Sequence, residues 1–276
     1  MLALAGGLCL SMAGVALRHI ESADGWQILF YRSIGICLTI LLITALRHKR
    51  NTVQVIRAVG VRGIVAAVVL GAGSIAYIYA ILLTSVANAV FIIGTSPILA
   101  AILAWLFLRE RIRPLGIVAM VLAFLGIGLM LQDGLKSDSL AGALLALSVA
   151  LSYAVYLLIV RGARNNDMSP VISLCGLMTA GFAYFMLDTI ALSTNDLTIS
   201  IFLGVVQFSG GFFLLTVAAR YIPAAEVALY SLSEAVFASL WVWLVVDEVP
   251  SVLTMAGATV VLIAVGGYGL INIRRN

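Results

Sequence analysis

The sequence predicts an all-α membrane protein: ten transmembrane helices in two inverted five-helix repeats, residues 1–137 and 138–276, with both termini cytoplasmic. Three observations predict it. Of the 276 residues, 63% are apolar and 10% charged, and the mean hydropathy is +1.17; long apolar runs parted by short charged clusters read as membrane spans. The basic residues gather on one side when loops are counted in alternation. The two halves repeat each other.

The spans are expected near 2–17, 26–46, 61–83, 86–108, 114–131, 139–160, 170–191, 198–219, 224–246 and 251–272. The first lacks a basic leader, which argues against a cleaved signal peptide. It is short for a bilayer, so Arg18 snorkels or the helix starts before residue 1. The second, WQILFYRSIGICLTILLI, carries Arg32 inside it. The stretch from Arg47 to Val59 is the longest polar one and reads as a short loop, leaving no room for a soluble domain. Pro114, Pro170, Pro223 and Pro250 fall in predicted first turns, where a missing N–H costs nothing. Pro97 lies inside the fourth helix, where it frees a carbonyl and acts as a hinge. Cys9, Cys37 and Cys175 lie in apolar runs without ligand spacing, so they read as small buried side chains rather than a disulfide framework or metal site.

Thirteen of the 16 Lys and Arg residues fall on the side of the N-terminus, in the loops around Arg47–Arg62, Arg109–Arg113, Arg161–Arg164, Arg220 and Arg274–Arg275. Arg18 and Lys136 fall on the other side, and Arg32 is left within a span. The positive-inside rule then places both termini in the cytoplasm. At an offset of 138 residues, Ala100 meets Ala238, Trp105 meets Trp243, Leu106 meets Leu244, Glu110 meets Glu248 and Gly128 meets Gly266. Gly71 and Gly73 meet Ser209 and Gly211 in the same register. Five helices per unit is odd, so the second unit enters from the opposite face, a plan that lets two halves rock about a central site.

These residues carry a resemblance. Phe30-Tyr31-Arg32-Ser33, Pro97 followed by Glu110, Ser233-Glu234-Ala235-Val236 and then Glu248 are similar to the pattern of the drug/metabolite transporter superfamily, in its EamA-type ten-helix bacterial branch, over essentially the whole chain. Ala235 stands where that pattern usually has Pro, which removes the residue that would kink helix nine. The resemblance implies a secondary transporter in the bacterial cytoplasmic membrane. It would be a monomer or homodimer without a cofactor, exporting small metabolites such as amino acids, amines or related compounds. The site would lie between the halves and open to each face in turn.

Arg32 needs an explanation, because a bare Arg at mid-bilayer costs at least roughly 2.5–3.5 kcal/mol. It lies about six residues, roughly 9 Å, below one end of its helix; Glu234 lies about ten residues, roughly 15 Å, above the other face. In a core of about 30 Å their levels differ by only about 6 Å, so an Arg32–Glu234 pair, acting as lock, gate or coupling device, is the leading expectation. Arg32 snorkelling to headgroups, or binding an anionic substrate directly, are the alternatives. Substrate contacts are expected among Tyr77, Thr95, Ser96, Tyr153, Tyr156, Gln207, Phe208 and Tyr230; each also reads as helix–helix glue. Glu226, after Pro223, suits the positive end of helix nine.

Other classes lack their chemistry. His19 and His48 sit in loops and no Lys lies in a span, so intramembrane Ser–His and Ser–Lys dyads are excluded, and no metal site is expected. Gly267-Tyr268-Gly269 lacks the pore-loop setting of a selectivity filter. No nucleotide-binding motif appears, and the basic residues are loop charges rather than a nucleic-acid surface. The chain is therefore not expected to be an enzyme. A channel would need a continuous polar stripe. A nucleotide-sugar or phosphate-ester carrier would need more than one intramembrane cation.

Overall fold

The computed structural model of the chain describes residues 1–111, 113–132, 139–246 and 251–275. Lys136, Asp247, Glu248, Pro250 and the expected 137/138 junction lie outside the described residues, which contain helices and no strand. Among the described residues eight helices are long and apolar enough to cross a membrane, and two more are apolar but shorter. In chain order they are α1 (Leu2–Arg18, short), α2 (Gly25–His48), α3 (Gly60–Leu83), α4 (Ala87–Leu108), α5 (Pro114–Leu131), α6 (Leu140–Gly162), α7 (Pro170–Met186, short), α8 (Thr194–Ala218), α9 (Ala224–Val245) and α10 (Val252–Ile271).

Local chemistry sets the ends. Asp24 caps α2 by accepting from the N–H groups of Trp26 and Gln27, while the Gln27 side chain accepts from the Asp24 N–H, a reciprocal capping box. Ser85 and Ser193 cap the starts of α4 and α8 through their hydroxyls. Pro114 and Pro170 occupy first turns as expected, whereas Pro223 stands one place earlier, at the N-cap of α9. The polar stretch expected as a loop contains a short helix, Thr52–Ala58. Gly60, at φ +56°, makes the left-handed turn into α3 that a side chain would oppose.

Among the described residues three helices are interrupted mid-course. Helix α1 breaks at Ser11–Met12, α4 at Gly94–Thr95 and α9 at Leu232. At each break a hydroxyl donates to the carbonyl three residues back: Ser11 to Leu8, Thr95 to Ile92, Ser231 to Ala228 and Ser233 to Tyr230, at 2.6–2.8 Å. Such back-bonding competes with the helical N–H and tightens or parts the turn. Pro97 therefore opens the second segment of α4, Ser96–Leu103, rather than kinking a continuous helix. Helix α9 is interrupted at Leu232 although Ala235 stands where a kinking Pro would be expected. Helix α8 widens into a π-helical stretch at Leu203–Gly210.

The principal packed pairs are α3 with α6, α2 with α7, α5 with α10, α4 with α6, α1 with α8 and α2 with α8, followed by α1 with α9, α3 with α7 and α4 with α9. Exchanging the first five helices for the last five maps this set onto itself. The outward faces are apolar, with Leu42, Trp105, Leu147, Phe185 and Ile263 all exposed. That pattern suits lipid rather than water, and the chain is a multi-pass membrane protein.

Hydrogen bonds tie the loops at both ends. At one end the buried carboxylate of Asp196 accepts from the backbone N–H groups of Glu21, Ser22 and Ala23 and from the Ser22 hydroxyl. Nearby, the Gln27 amide donates to the carbonyls of Thr189 and Ala191, and the Tyr31 hydroxyl to that of Ile190. At the other end Asp167 Oδ2 lies 2.9 Å from His48 Nε2 and 3.8 Å from Arg47 Nη1, and Oδ1 accepts from the Ser169 N–H. Burial pushes the Asp167 carboxyl up. The hydrogen bonds from Ser169 and His48 and the Arg47 charge outweigh it, leaving the group below its ordinary value. A carboxylate whose pKa is lower folded than unfolded stabilises the fold fully at neutral pH and loses that contribution as pH falls below about 4. Asp167→Asn is expected to lower the melting temperature at neutral pH, with the gap to wild type closing on acidification; a pH series of melting curves checks this.

Candidate functional site

The interrupted helices meet around an internal cavity of about 130 Å³, space for several waters or one small organic solute. Helix α1 contributes Leu10, α4 contributes Gly94 and Ser96, and α9 contributes Ser231, Leu232 and Glu234. The walls are completed by Arg32 of α2, Tyr77 of α3, Tyr153 of α6, and Gln207, Phe208 and Phe212 of α8. The breaks matter here because the segments Ser96–Leu103 and Ser233–Val246 begin at the cavity wall. Around these breaks the N–H groups of Thr95, Leu232 and Ala235 bond to carbonyls three residues back, and the positive dipole ends of the two segments lend a polar edge to an otherwise apolar space.

Arg32 is 3% exposed. Its guanidinium carbon lies over the Phe208 ring, 4.7 Å from the centroid. Phe208 in turn stacks on Phe212 at 4.3 Å, and Phe212 receives the edges of Tyr153 and Tyr156. The π-helical stretch of α8 sets this geometry: the Ser209 hydroxyl closes the wide turn onto the Gly204 carbonyl five residues back, while Gln207 donates to the Leu10 carbonyl at the α1 break. Such π-helical turns frequently accompany functional sites.

The expected Arg32–Glu234 ion pair is absent among the described residues, where no carboxylate lies within 4.0 Å of Arg32. Both side chains line the same cavity, and Tyr77 is close enough to feel both charges. The physical reason is the aromatic shelf: Phe208 holds the guanidinium by a cation–π contact, and α2 is pressed onto α8 at that level. Snorkelling is contradicted as well, since Arg32 is buried and faces inward. Arg32 Nε and Ser74 Oγ, both at the cavity, have no hydrogen-bond partner among the described residues. The Glu234 carboxylate likewise makes no hydrogen bond or ion pair with them.

Of the residues expected to touch substrate, Tyr77, Ser96, Tyr153, Gln207 and Phe208 line the cavity. Thr95, Tyr156 and Tyr230 do not. Thr95 spends its hydroxyl on the Ile92 carbonyl. Tyr156 is fully buried against the Thr216 hydroxyl, one turn from Tyr153 but behind Phe212. Tyr230 packs on Tyr268 of α10. Tyr268 donates to Glu226 at 2.8 Å, in the first turn of α9. The sequence reading missed Phe212, Ser74, Ser152 and Ser231. Phe212 was detectable, because it follows Phe208 by one helical turn and shares its face. The serines carry no signal that separates them from packing serines.

A bundle of lipid-facing helices that breaks three of its members around an internal cavity has the architecture of a solute transporter. A solved crystal structure matches this one with a TM-score of 0.83, covering 100% of this chain and 97% of the other at 18% identity, which shows the fold. The chain belongs to the EamA-like transporter family, whose model matches residues 1–132 and again 140–269. It is 30% identical over 158 residues to the "Uncharacterized transporter YwfM" of Bacillus subtilis (strain 168), a match covering 55% of this chain and 53% of that protein. The chain thus spans about half the length of that relative. The family and that relative are both described as transporters, which is consistent with the drug/metabolite transporter superfamily.

Proposed function

We propose that the chain is a secondary transporter that moves small organic metabolites, such as amino acids, amines or related compounds, out across a bacterial cytoplasmic membrane by alternating access. One observation carries the reading: the cavity lies where broken helices from both halves meet, with loop ties beyond it at either end. A solute held there is reached from one face when one set of ties opens and from the other when the second does.

The architecture behind the reading is ten spans in two inverted repeats, 1–137 and 138–276, with both termini cytoplasmic. The self-mapping set of helix pairs supports it, as do the breaks of α4 at Gly94 and of α9 at Leu232, which are 138 residues apart. In this orientation the Asp196 ties face outward and the Asp167 ties face the cytoplasm. Pro97 would serve as a hinge at the start of a mobile half-helix. The unpaired Arg32 lends weight to a second reading, an organic-anion or phosphate-ester carrier. A single cation against Glu234 in the same cavity fits a multiply charged phosphate poorly.

The test is counterflow into proteoliposomes loaded with a small-metabolite extract of bacterial cells, read by mass spectrometry of what leaves the vesicles. Loss of discrete species only when protein is present is expected. Retention of every species by the protein-containing vesicles would overturn the transport reading.

A further inference from the structure

We propose that the open cleft between the start of α3 and the end of α6 seats the headgroup of an anionic phospholipid, with Arg62 on its phosphate. The leaflet is the one at the Asp167 end, cytoplasmic in the orientation proposed above. Such a site depends on the membrane and not on what the chain carries.

The cleft measures about 480 Å³. Gly60, Val61 and Arg62 line it from the start of α3, and Gly162, Asn165 and Asn166 from the end of α6 and just beyond. It shares no residue with the central cavity. At Gly60 the chain turns with φ +56°, and a Cβ there would meet nothing within 4 Å, so the turn stands beside open space. The Asn165 and Asn166 side chains are exposed and make no hydrogen bond among the described residues. Helix α3 lies in the first family match and α6 in the second, so a lipid seated here touches both repeats.

The charge around the cleft is unbalanced. Lys49, Arg50, Arg57 and Arg62 are exposed, and among the described residues none of their side chains has a carboxylate or other polar partner. The carboxylates described at this end are already engaged: Asp167 by Arg47 and His48, Glu110 by Arg161, and Glu226 by Tyr268. The helix Thr52–Ala58 that joins these bases is about 10 Å long. That is close to the Debye length of about 8 Å at physiological salt, so the four charges raise one local field. The positive-inside bias accounts for bases on this side. It does not call for a walled cleft among them.

Apolar neighbours favour a lipid over a soluble anion. Val53 and Val61 are exposed on the same segment, and Ile64 and Val65 are exposed on the first turns of α3. A stretch that mixes bases with exposed valines lies in the membrane interface, its apolar side chains among the upper parts of the acyl chains. The lipid phosphate then sits level with Arg62, whose planar guanidinium takes two phosphate oxygens at once. The two asparagine amides donate to the rest of the headgroup. A zwitterionic headgroup brings its own cation against Arg57 and Arg62 and is held less well.

The experiment is native mass spectrometry of the purified, delipidated full chain, offered equal amounts of phosphatidylglycerol and phosphatidylcholine with the same acyl chains. Phosphatidylglycerol adducts are expected to exceed phosphatidylcholine adducts about fivefold or more, the size of one basic contact at an anionic surface. Arg62→Gln is expected to remove that excess and Arg62→Lys to keep part of it. Arg109→Gln, which changes an exposed base at the same end outside the cleft, is expected to leave it unchanged. Arg62 and Arg109 are both exposed, so the packed core is untouched, and a single symmetric elution peak checks each variant. Glycerophosphate, a headgroup without chains, is then added in large excess, and the phosphatidylglycerol adduct is expected to persist. Its displacement would make the site one for soluble phosphate esters and overturn the proposal. Equal adducts of the two lipids would overturn it, as would equal losses in Arg62→Gln and Arg109→Gln, the mark of diffuse charge without a seat. No solute moves in any arm, so failure here leaves the transport reading standing, and failed counterflow leaves the lipid site standing.

Discussion

Gly204→Val is expected to prevent stable assembly of the bundle, and Gly204→Ala to lower stability by about 3 kcal/mol or more, at or beyond the upper end of what overpacking costs. A Cβ on residue 204 would overlap the carbonyl oxygen of Arg32 and come within 3.0 Å of its carbonyl carbon and 3.2 Å of its Cα. Those atoms are backbone in the middle of α2, so no rotamer change relieves the clash. Either α2 and α8 part along their length or the π-helical stretch of α8 unwinds. Both outcomes shift Arg32 away from the Phe208 shelf. The control is Gly181→Ala in α7, where a Cβ meets nothing within 4 Å. That substitution is expected to be neutral or stabilising by up to about 1 kcal/mol, through helix propensity alone. Thermal melting of the three detergent-purified proteins measures the contrast. A Gly204→Ala protein that melts with wild type would show that the α2–α8 crossing is looser than described.

The second large effect is expected at Arg161. This residue is 9% exposed, and its Nε donates to Glu110 Oε1 at 2.7 Å while Nη1 donates to the carbonyls of Ala219 and Arg220 at 3.2 Å. One guanidinium thus joins the ends of α4, α6 and α8. Arg161→Ala is expected to cost about 3–5 kcal/mol, because a half-buried carboxylate and two carbonyls lose their donor together. Arg161→Lys, a point charge without the planar fork, is expected to recover only part. The companion Arg161→Met/Glu110→Leu protein separates two explanations. If the cost lies in the stranded Glu110 charge, the apolar pair regains most of the stability. If it lies in the carbonyl contacts to α8, the double variant melts as low as Arg161→Ala.

Much of this architecture was legible before any coordinates. Hydropathy located the helices to within a few residues, because a lipid-facing chain must be apolar nearly all round. Prolines marked two starts outright. The failures have specific causes. The break in α9 was left open because its expected marker, a proline, is replaced by Ala235. Two serine hydroxyls do the same work, and serine in an apolar run reads equally well as filler. Depth arithmetic brought Arg32 and Glu234 to one level but could not give azimuth. Their separation depends on which way Phe208 faces, and that is set by the extra residue in the π-helical turn of α8. Tyr153 and Tyr156 share a helix face in sequence, yet Phe212 stands between Tyr156 and the cavity. Helical periodicity resolves faces, not the layers behind them.

The cavity's two charges also have an electrical consequence. Among the described residues one Arg and one Glu line the solute space, and when both are ionised they sum to zero. Moving a net charge through the full membrane potential is worth about 2.3 kcal/mol per 100 mV. A cavity that closes around a solute of zero net charge encloses no net charge before or after loading. The rocking step then neither draws on the membrane potential nor works against it. The direction of flow is left to the concentration ratio of the solute, which would make such a carrier an overflow valve that runs outward when the cell's pool is in excess.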